Sequence, residues 1–398
     1  MQRKRILIVD DEPGVLTAVE RVIKMSLDCE TILATSGQAA LDLLEKQPFD
    51  VIVSDIMMPG MNGIDLLNVV QELYPKTVRL AFSGWATEEV AFRTAGTVHQ
   101  FLKKPADIAL LAEKIQRVLN LRRLLPEEGL ERVVACVKSL PTLPGVFMEL
   151  EHELSRENPS VDRVGETLEK DIGMSAKVLQ LVNSAFFGLH EHVARPSQAV
   201  ALLGVNTVKS LVLAFHVFES WGDRVVAGFD SGRLWEHSLD VAIIARSIAE
   251  AEALETGIRE DTHIAGMFHD IGKLILADNL PDSCEAIERL ILEKGAAPLD
   301  AEREVLGATH AETGAYLLAL WGFPDNVVHA VAFHHAPCQI PTEGINPAML
   351  VHVANALHYE RKGIPVSPAQ RIDEECLEAH GLKDHLPKWR QLLLAKPK

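Results

Sequence analysis

No stretch of this chain is both long and apolar enough to cross a lipid bilayer. Its richest apolar region, Val200 to Phe218, contains Asn206, Thr207, Lys209, Ser210 and His216, all costly in a hydrocarbon core. A secretory leader is not expected either, because the run Ile6, Leu7, Ile8 and Val9 is cut off by Asp10, Asp11 and Glu12. Cysteine is scarce. The five, Cys29, Cys136, Cys284, Cys338 and Cys376, lie far apart with no CxxC pair, which fits neither a disulfide framework nor a cysteine zinc site and points to a reducing cytoplasm. Basic charge is also short. With 39 Lys and Arg against 56 Asp and Glu, the net charge of −17 leaves little to gain along a phosphate backbone and argues against nucleic acid as a partner.

What is present is a globular composition, 47% hydrophobic and 24% charged, over 398 residues, more than one core usually organises, so two or three domains are expected. The acidity is uneven. Residues 1–120 carry 13 Lys and Arg against 16 Asp and Glu, whereas the remainder carries 26 against 40. The second part is therefore better suited to a protein partner.

Residues 5–120 alternate short apolar runs with amphipathic stretches. Ile6 to Val9, Val51 to Val53, Val78 to Ala81 and Phe101 to Leu102 read as buried parallel strands, the first, third, fourth and fifth of a sheet covered by helices on both faces. In such a fold, ligands bind beyond the carboxyl ends of the strands. The polar residues there are Asp10 and Asp11, Asp55, Ser83 and Lys104. Three carboxylates suit Mg²⁺, and a hydroxyl and an ammonium would balance the oxygens of a transferring phosphoryl group. Asp55, at the tip of the central strand, is the natural nucleophile for an acyl phosphate. Helix capping would explain any one of these residues but not all five together.

From residue 131 on, helical periodicity replaces the strand pattern, as at Val178, Leu179, Leu181 and Val182. Between the two parts, the last helix of the first domain runs on through Leu119, Leu121, Leu124 and Leu125 until Pro126. Arg117, Arg122 and Arg123 on its other side form the strongest basic cluster, read as the face of a signalling helix rather than a nucleic-acid contact. The helical part holds nine histidines between 237 and 358: His237, His263, His269, His310, His329, His334, His335, His352 and His358. Imidazole is a good ligand for borderline divalent metals, and the His269–Asp270 and His334–His335 pairs weaken the alternative that all are core residues.

The motifs I-L-I-V-D-D-E at 6–12, V-S-D-I-M-M-P-G-M-N-G at 53–63, F-S-G at 82–84 and F-L-K-K-P at 101–105 resemble the receiver domain of two-component response regulators. The resemblance implies a flavodoxin-like, doubly wound five-stranded parallel sheet in the order 2-1-3-4-5. It implies phosphorylation of Asp55 by a sensor histidine kinase, and Mg²⁺ held by Asp10, Asp11, Asp55 and the Met57 carbonyl. Ser83 and Lys104 would pair with the phosphate, Ser83 and Phe101 would switch, and the Lys104–Pro105 bond would be cis.

Further on, L-P-T-L-P at 140–144, D-I-G-M-S-A-K-V-L-Q-L-V-N-S-A-F-F-G at 171–188, A-V-A-L-L-G at 199–204 and F-H-D-I-G-K at 268–273 resemble the HDOD domain, an all-helical relative of HD-type metal phosphohydrolases. HDOD domains are regarded mostly as signalling modules. By resemblance to the hydrolase branch that degrades cyclic di-GMP, His237, His269, Asp270, His310, His334 and His335 would be metal ligands for Fe, Mn or Zn, with Lys273 contacting phosphate. Two departures stand against turnover. Asn355 occupies the position of the last metal aspartate, and the residues after His335 read A-P-C-Q-I-P-T-E-G with no G-Y-P.

The expected layout is a receiver at 1–121, a linker at 122–130, an HDOD domain at 131–362 and a carboxyl-terminal extension at 363–398. The leading expectation is a cytoplasmic response regulator, phosphorylated on Asp55 and acting through a protein partner of the HDOD domain, with homodimerisation left open. The alternative is a phospho-regulated metal phosphohydrolase acting on a cyclic dinucleotide or nucleotide.

Overall fold

A computed structural model of the protein describes residues 3–83, 98–104, 111–117, 159–169, 196–205, 230–320, 323–340, 344–364 and 370–394, with isolated positions between 119 and 208. The chain divides into two compact units.

The first unit is built on five parallel strands, β1 (Lys4–Val9), β2 (Cys29–Ala34), β3 (Val51–Ser54), β4 (Val78–Ser83) and β5 (Gln100–Lys103), in the order β2-β1-β3-β4-β5. The central strands read as continuous apolar runs because both faces are covered: Ile6 to Val9 and Val51 to Val53 are all buried. β2, an edge strand with the sequence CETILA, is only partly buried, and so carries no unbroken apolar run. Helix α1 (Pro13–Ser26) buries Leu16, Val19 and Ile23, a stripe at helical spacing. Helices α2 (Gly37–Leu44) and α3 (Gly63–Leu73) cover a core containing Leu7, Val9, Ile52, Leu66 and Leu67.

Parallel register brings the carboxyl ends of β1 and β3 side by side, Val9 opposite Ser54. The Asp55 backbone N–H then bonds Val9 O at 2.8 Å, so the residue after each strand enters the same corner. The loop from β3 returns tightly to α3. A Cβ on Gly63 would lie 1.9 Å from the Asp55 carbonyl oxygen, so this position admits only glycine, and Asn62 caps the helix by accepting from Asp65 N at 2.9 Å.

In the second unit, α4 (Val161–Glu169) and α5 (Pro196–Leu203) share a small core of Leu150, Val164, Leu168, Ala199, Val200 and Val208. The larger core is formed by α6 (Ser231–Ala251), α7 (Thr256–Phe268), α8 (Ile271–Asn279), α9 (Pro281–Lys294), α10 (Pro298–Leu306), the first six residues, 310–315, of α11 (His310–Leu320), α12 (Asp325–Phe333) and α13 (Pro347–Lys362). α6, α7, α12 and α13 pack on one another. The glycine of H-D-I-G-K has a steric cause: a Cβ on Gly272 would lie 1.8 Å from the His310 carbonyl oxygen, so its absence lets α8 approach the start of α11.

The carboxyl-terminal segment packs back onto this unit. α14 (Glu374–Ala379) and α15 (Leu386–Leu394) follow α13, and Trp389 is fully buried with its Nε1–H donating to Glu252 Oε1 at 2.8 Å. Lys388 Nζ reaches the same oxygen at 2.9 Å, and Arg390 pairs with Glu360 through two hydrogen bonds.

The expectation that no cysteines pair is corrected. Cys338 and Cys376 form a disulfide, their Cα atoms 5.7 Å apart across 38 positions of sequence. The two are brought together by the packing of the carboxyl-terminal segment, which no local spacing reveals. Among the described residues, no helix is long and apolar enough to cross a membrane.

Candidate functional site

Among the described residues, each unit carries a cluster of chemically active side chains. In the first, Asp10, Asp11 and Asp55 bring carboxylate oxygens within 4.8 Å of one another, with Asp10 and Asp55 buried and Asp11 exposed. Lys104 Nζ donates to Asp10 Oδ2 at 2.6 Å and to Asp55 Oδ2 at 2.7 Å. Burial works against its charge, but the two hydrogen-bonded carboxylates outweigh that and raise its pKa. The other Asp55 oxygen, Oδ1, accepts the Ile56 and Met57 backbone N–H groups at 2.6 and 3.2 Å. Asp10 Oδ1 accepts the Glu12 N–H at 2.9 Å.

The donor set fits a small hard cation. Three carboxylates face one ammonium, and oxygen-only ligation suits Mg²⁺. Met57 is exposed at 60% beside this corner. Ser83 closes β4 and Phe101 lies in β5, its backbone opposite Ala81. The side chains of both lie outside the description, as do Pro105 and the basic residues Arg122 and Arg123.

In the second unit, everything converges on Asp270. His269 caps the end of α7 and Asp270 the start of α8, His310 opens α11, and His334 caps the end of α12. Asp270 Oδ1 lies 3.1 Å from His310 Nε2 and 3.7 Å from His334 Nε2. Oδ2 lies 3.4 Å from His269 Nε2, 3.7 Å from His237 Nε2 and 2.6 Å from Lys273 Nζ. The ligand atoms form two overlapping groups, Asp270 with His310, His334 and His335, and Asp270 with His237 and His269.

The rings are turned inward by their other nitrogens. His269 Nδ1–H donates to Gly266 O at 2.7 Å and His334 Nδ1–H to Val331 O at 2.8 Å, each leaving an Nε2 lone pair facing the carboxylate. His310 Nδ1–H donates to Glu302, which also accepts the His310 backbone N–H at 2.8 Å. Burial alone would lower the His310 pKa; Glu302 overrides it and lifts the value to about 9. Burial and the neighbouring His269 push His237 down to about 3. Burial opposes ionisation of Asp270, but His269 and Lys273 hold its pKa well below the usual carboxylate range.

One buried ligand atom of the first group, His334 Nε2, has no hydrogen-bond partner, and Asp270 Oδ1 is met only by His310 Nε2 at 3.1 Å. Mixed imidazole and carboxylate donors with unmet valence fit Fe, Mn or Zn. In the second group, the Lys273 ammonium already rests on the shared carboxylate.

The six expected histidine and aspartate ligands thus come together. Asn355 is buried on α13 with Oδ1 unpartnered. Two residues escaped sequence reasoning, and a third, His352, was seen only as one of nine histidines. Glu302 sits eight positions before His310 on another helix, and Tyr359 places its ring 5.1 Å from that of His237. His352 Nδ1–H supports the backbone of His334 by donating to its carbonyl at 2.8 Å. His263, by contrast, is a core residue bonded to Ala242 O at 3.3 Å, and its burial lowers its pKa to about 4.

Comparison with known proteins names both halves: the response regulator receiver domain family matches residues 6–116 and the HDOD domain family residues 140–337. The chain is a receiver domain followed by an HDOD domain. The response regulator protein PilR of Pseudomonas aeruginosa is 33% identical over 132 residues, 32% of this chain and 29% of that protein. An uncharacterized protein of Treponema pallidum is 23% identical over 209 residues, 52% of this chain and 40% of its own. The chain therefore spans less than half the length of either relative. A crystal structure of an HDOD domain protein with unknown function from Geobacter sulfurreducens covers 72% of this chain and 99% of its own, with 19% identity and a TM-score of 0.50, a likeness of fold. The acidic corner belongs to the receiver and the histidine cluster to the HDOD domain. In the HDOD domain, the buried Ala199 and Val200 show why the A-V-A-L-L-G motif is apolar.

Proposed function

We propose that the protein is a cytoplasmic response regulator, phosphorylated on Asp55 by a sensor histidine kinase and signalling through a protein partner of its HDOD domain. The observation that carries this reading is the contact of Lys104 with both Asp10 and Asp55, which joins the ends of three strands in one acidic corner. Asp10, Asp11, Asp55 and the Met57 carbonyl would hold Mg²⁺, which when bound supplies charge neutralisation for the incoming phosphoryl group. A carboxylate oxygen of Asp55 attacks the phosphorus of the kinase's phosphohistidine, the P–N bond breaks with the kinase imidazole as leaving group, and the Lys104 ammonium pairs with the transferred phosphate oxygens. Ser83 and Phe101 form the switch that carries the change to the surface. The boundaries at 121, 130 and 362 belong to the same proposal. Incubation with Mg²⁺ and a small acyl phosphate should add one phosphoryl mass to the intact chain. Unchanged labelling in Asp55→Ala would refute the assignment.

A second reading has its own support in the shared carboxylate of Asp270 and the unpartnered His334 Nε2. In it, the HDOD domain is a metal-dependent phosphohydrolase for a cyclic dinucleotide or nucleotide. The bound ion would supply Lewis-acid chemistry, and Lys273 would leave Asp270 for a substrate phosphate. Stoichiometric Fe, Mn or Zn in purified protein favours this reading; none after growth in metal-supplemented medium sinks it.

A further inference from the structure

The Cys338–Cys376 disulfide lies close to the histidine cluster in both sequence and space. Cys338 stands three residues after His335, in the short 3-10 turn Pro337–Gln339. Cys376 stands three residues after Asp373, whose side chain accepts the Cys376 N–H at 2.9 Å and caps α14. Between these two strands of chain runs a hydrogen-bonded bridge. The Asp373 N–H donates to His352 Nε2 at 2.9 Å, and His352 Nδ1–H donates to the His334 carbonyl at 2.8 Å. The disulfide and the His352 bridge thus fasten the same two segments at two points, one covalent and one not.

Beside them lies an open cleft of about 400 Å³, lined by His335 and His352 on one side and by residues 371–375 on the other. Arg371, Asp373, Glu374 and Glu375 on that wall are exposed, so little apolar burial holds this stretch in place. The apolar anchor comes immediately after it, at the buried Cys376 and Leu377. Cys338 is an exposed residue and Cys376 a buried one.

We propose that Cys338–Cys376 is a reversible redox latch that fastens the 371–375 wall of the histidine cleft. A dithiol reductant attacks the sulfur of the exposed Cys338; the S–S bond breaks, and Cys376 leaves as a thiolate and takes up a proton. The second thiol of the reductant then resolves the mixed disulfide, releasing Cys338 as a thiol and leaving the reductant oxidised, a transfer of two electrons and two protons. Oxidation runs the same exchange in reverse, with a low-molecular-weight disulfide as electron acceptor. In a reducing cytoplasm the latch rests open, and an oxidising shift closes it. The latch holds whether or not the histidines bind metal, because its two fastenings involve only Cys338, Cys376, Asp373, His352 and the His334 backbone.

Amide hydrogen exchange on the full-length chain tests this, comparing protein equilibrated with oxidised glutathione and with dithiothreitol. Oxidised protein should yield a linked Cys338–Cys376 peptide, and reduction should speed exchange across residues 371–379 at least ten-fold while β1 stays unchanged. Cys338→Ser should exchange like reduced protein in both buffers, and Cys284→Ser should behave like the parent. Equal exchange of 371–379 in the two redox states, or no linked peptide after oxidation, would overturn the proposal.

Discussion

Glu302 holds His310 from two directions, accepting its backbone N–H at 2.8 Å and its Nδ1–H at 2.8 Å, and so aims His310 Nε2 at Asp270. Outer partners of this kind are worth roughly 10–100-fold in metal affinity. Glu302→Gln should therefore weaken binding of Mn²⁺ or Zn²⁺ by about that factor in competition titrations, with the helical circular dichroism intact. Unchanged affinity would mean that His310 is not a ligand.

Lys104 neutralises two buried carboxylates of the receiver. Its removal leaves them facing each other, and losing one member of a largely buried ion network costs on the order of 1–3 kcal/mol at this partial exposure. Lys104→Met should lower receiver stability in chelator, and added Mg²⁺ should restore more stability to the variant than to the parent. Urea denaturation with and without Mg²⁺ measures both. An equal Mg²⁺ effect in the two proteins would place the ion elsewhere.

Gly63 and Gly60 separate two causes of glycine requirement. A Cβ on Gly63 would meet the Asp55 backbone at 1.9 Å, whereas Gly60 has φ +77° and nothing within 4 Å. Gly63→Ala should cost roughly 1–3 kcal/mol or more through displaced backbone, and Gly60→Ala only about 1 kcal/mol of left-handed strain. Thermal unfolding of the two variants should show that order, and Gly63→Ala should also slow phosphorylation of Asp55.

Glu252 ties the carboxyl-terminal helix to α6. Burial opposes its charge, but hydrogen bonds from Lys388 and Trp389 lower its pKa below the ordinary glutamate value. A depressed folded-state pKa stabilises at pH above the unfolded value, about 4.3, and that stability is lost as pH falls through the folded pKa. The stability gap between the parent and Glu252→Gln should be full at pH 7 and shrink below pH ~4. Chemical denaturation at several pH values checks it; a gap independent of pH would show that the carboxylate charge does no stabilising.

The receiver was legible from sequence because its site is made by local rules. In a parallel sheet, every strand that ends in an acidic or polar residue delivers that residue to the same edge, so Asp10, Asp55 and Lys104 converge once their strands are recognised. The edge strand β2 was the exception: one flank is unpaired and its residues are only partly buried, so its apolar pattern is weak. The H-D and H-H pairs were visible for a similar reason, since neighbours in sequence at a helix end are neighbours in space.

Tertiary structure alone decided the rest. Glu302 finds His310, His352 bridges His334 to Asp373, and Trp389 seats on Glu252 through residues on separate segments. The cysteines make the point most plainly: without a local spacing rule they read as unpaired, and only the return of the carboxyl-terminal segment puts Cys376 beside Cys338. The sequence by itself determined the residue types and their positions along each strand and helix. Which of them meet was set by packing, because contact between distant segments depends on how buried surfaces fit and leaves no periodic trace in the chain.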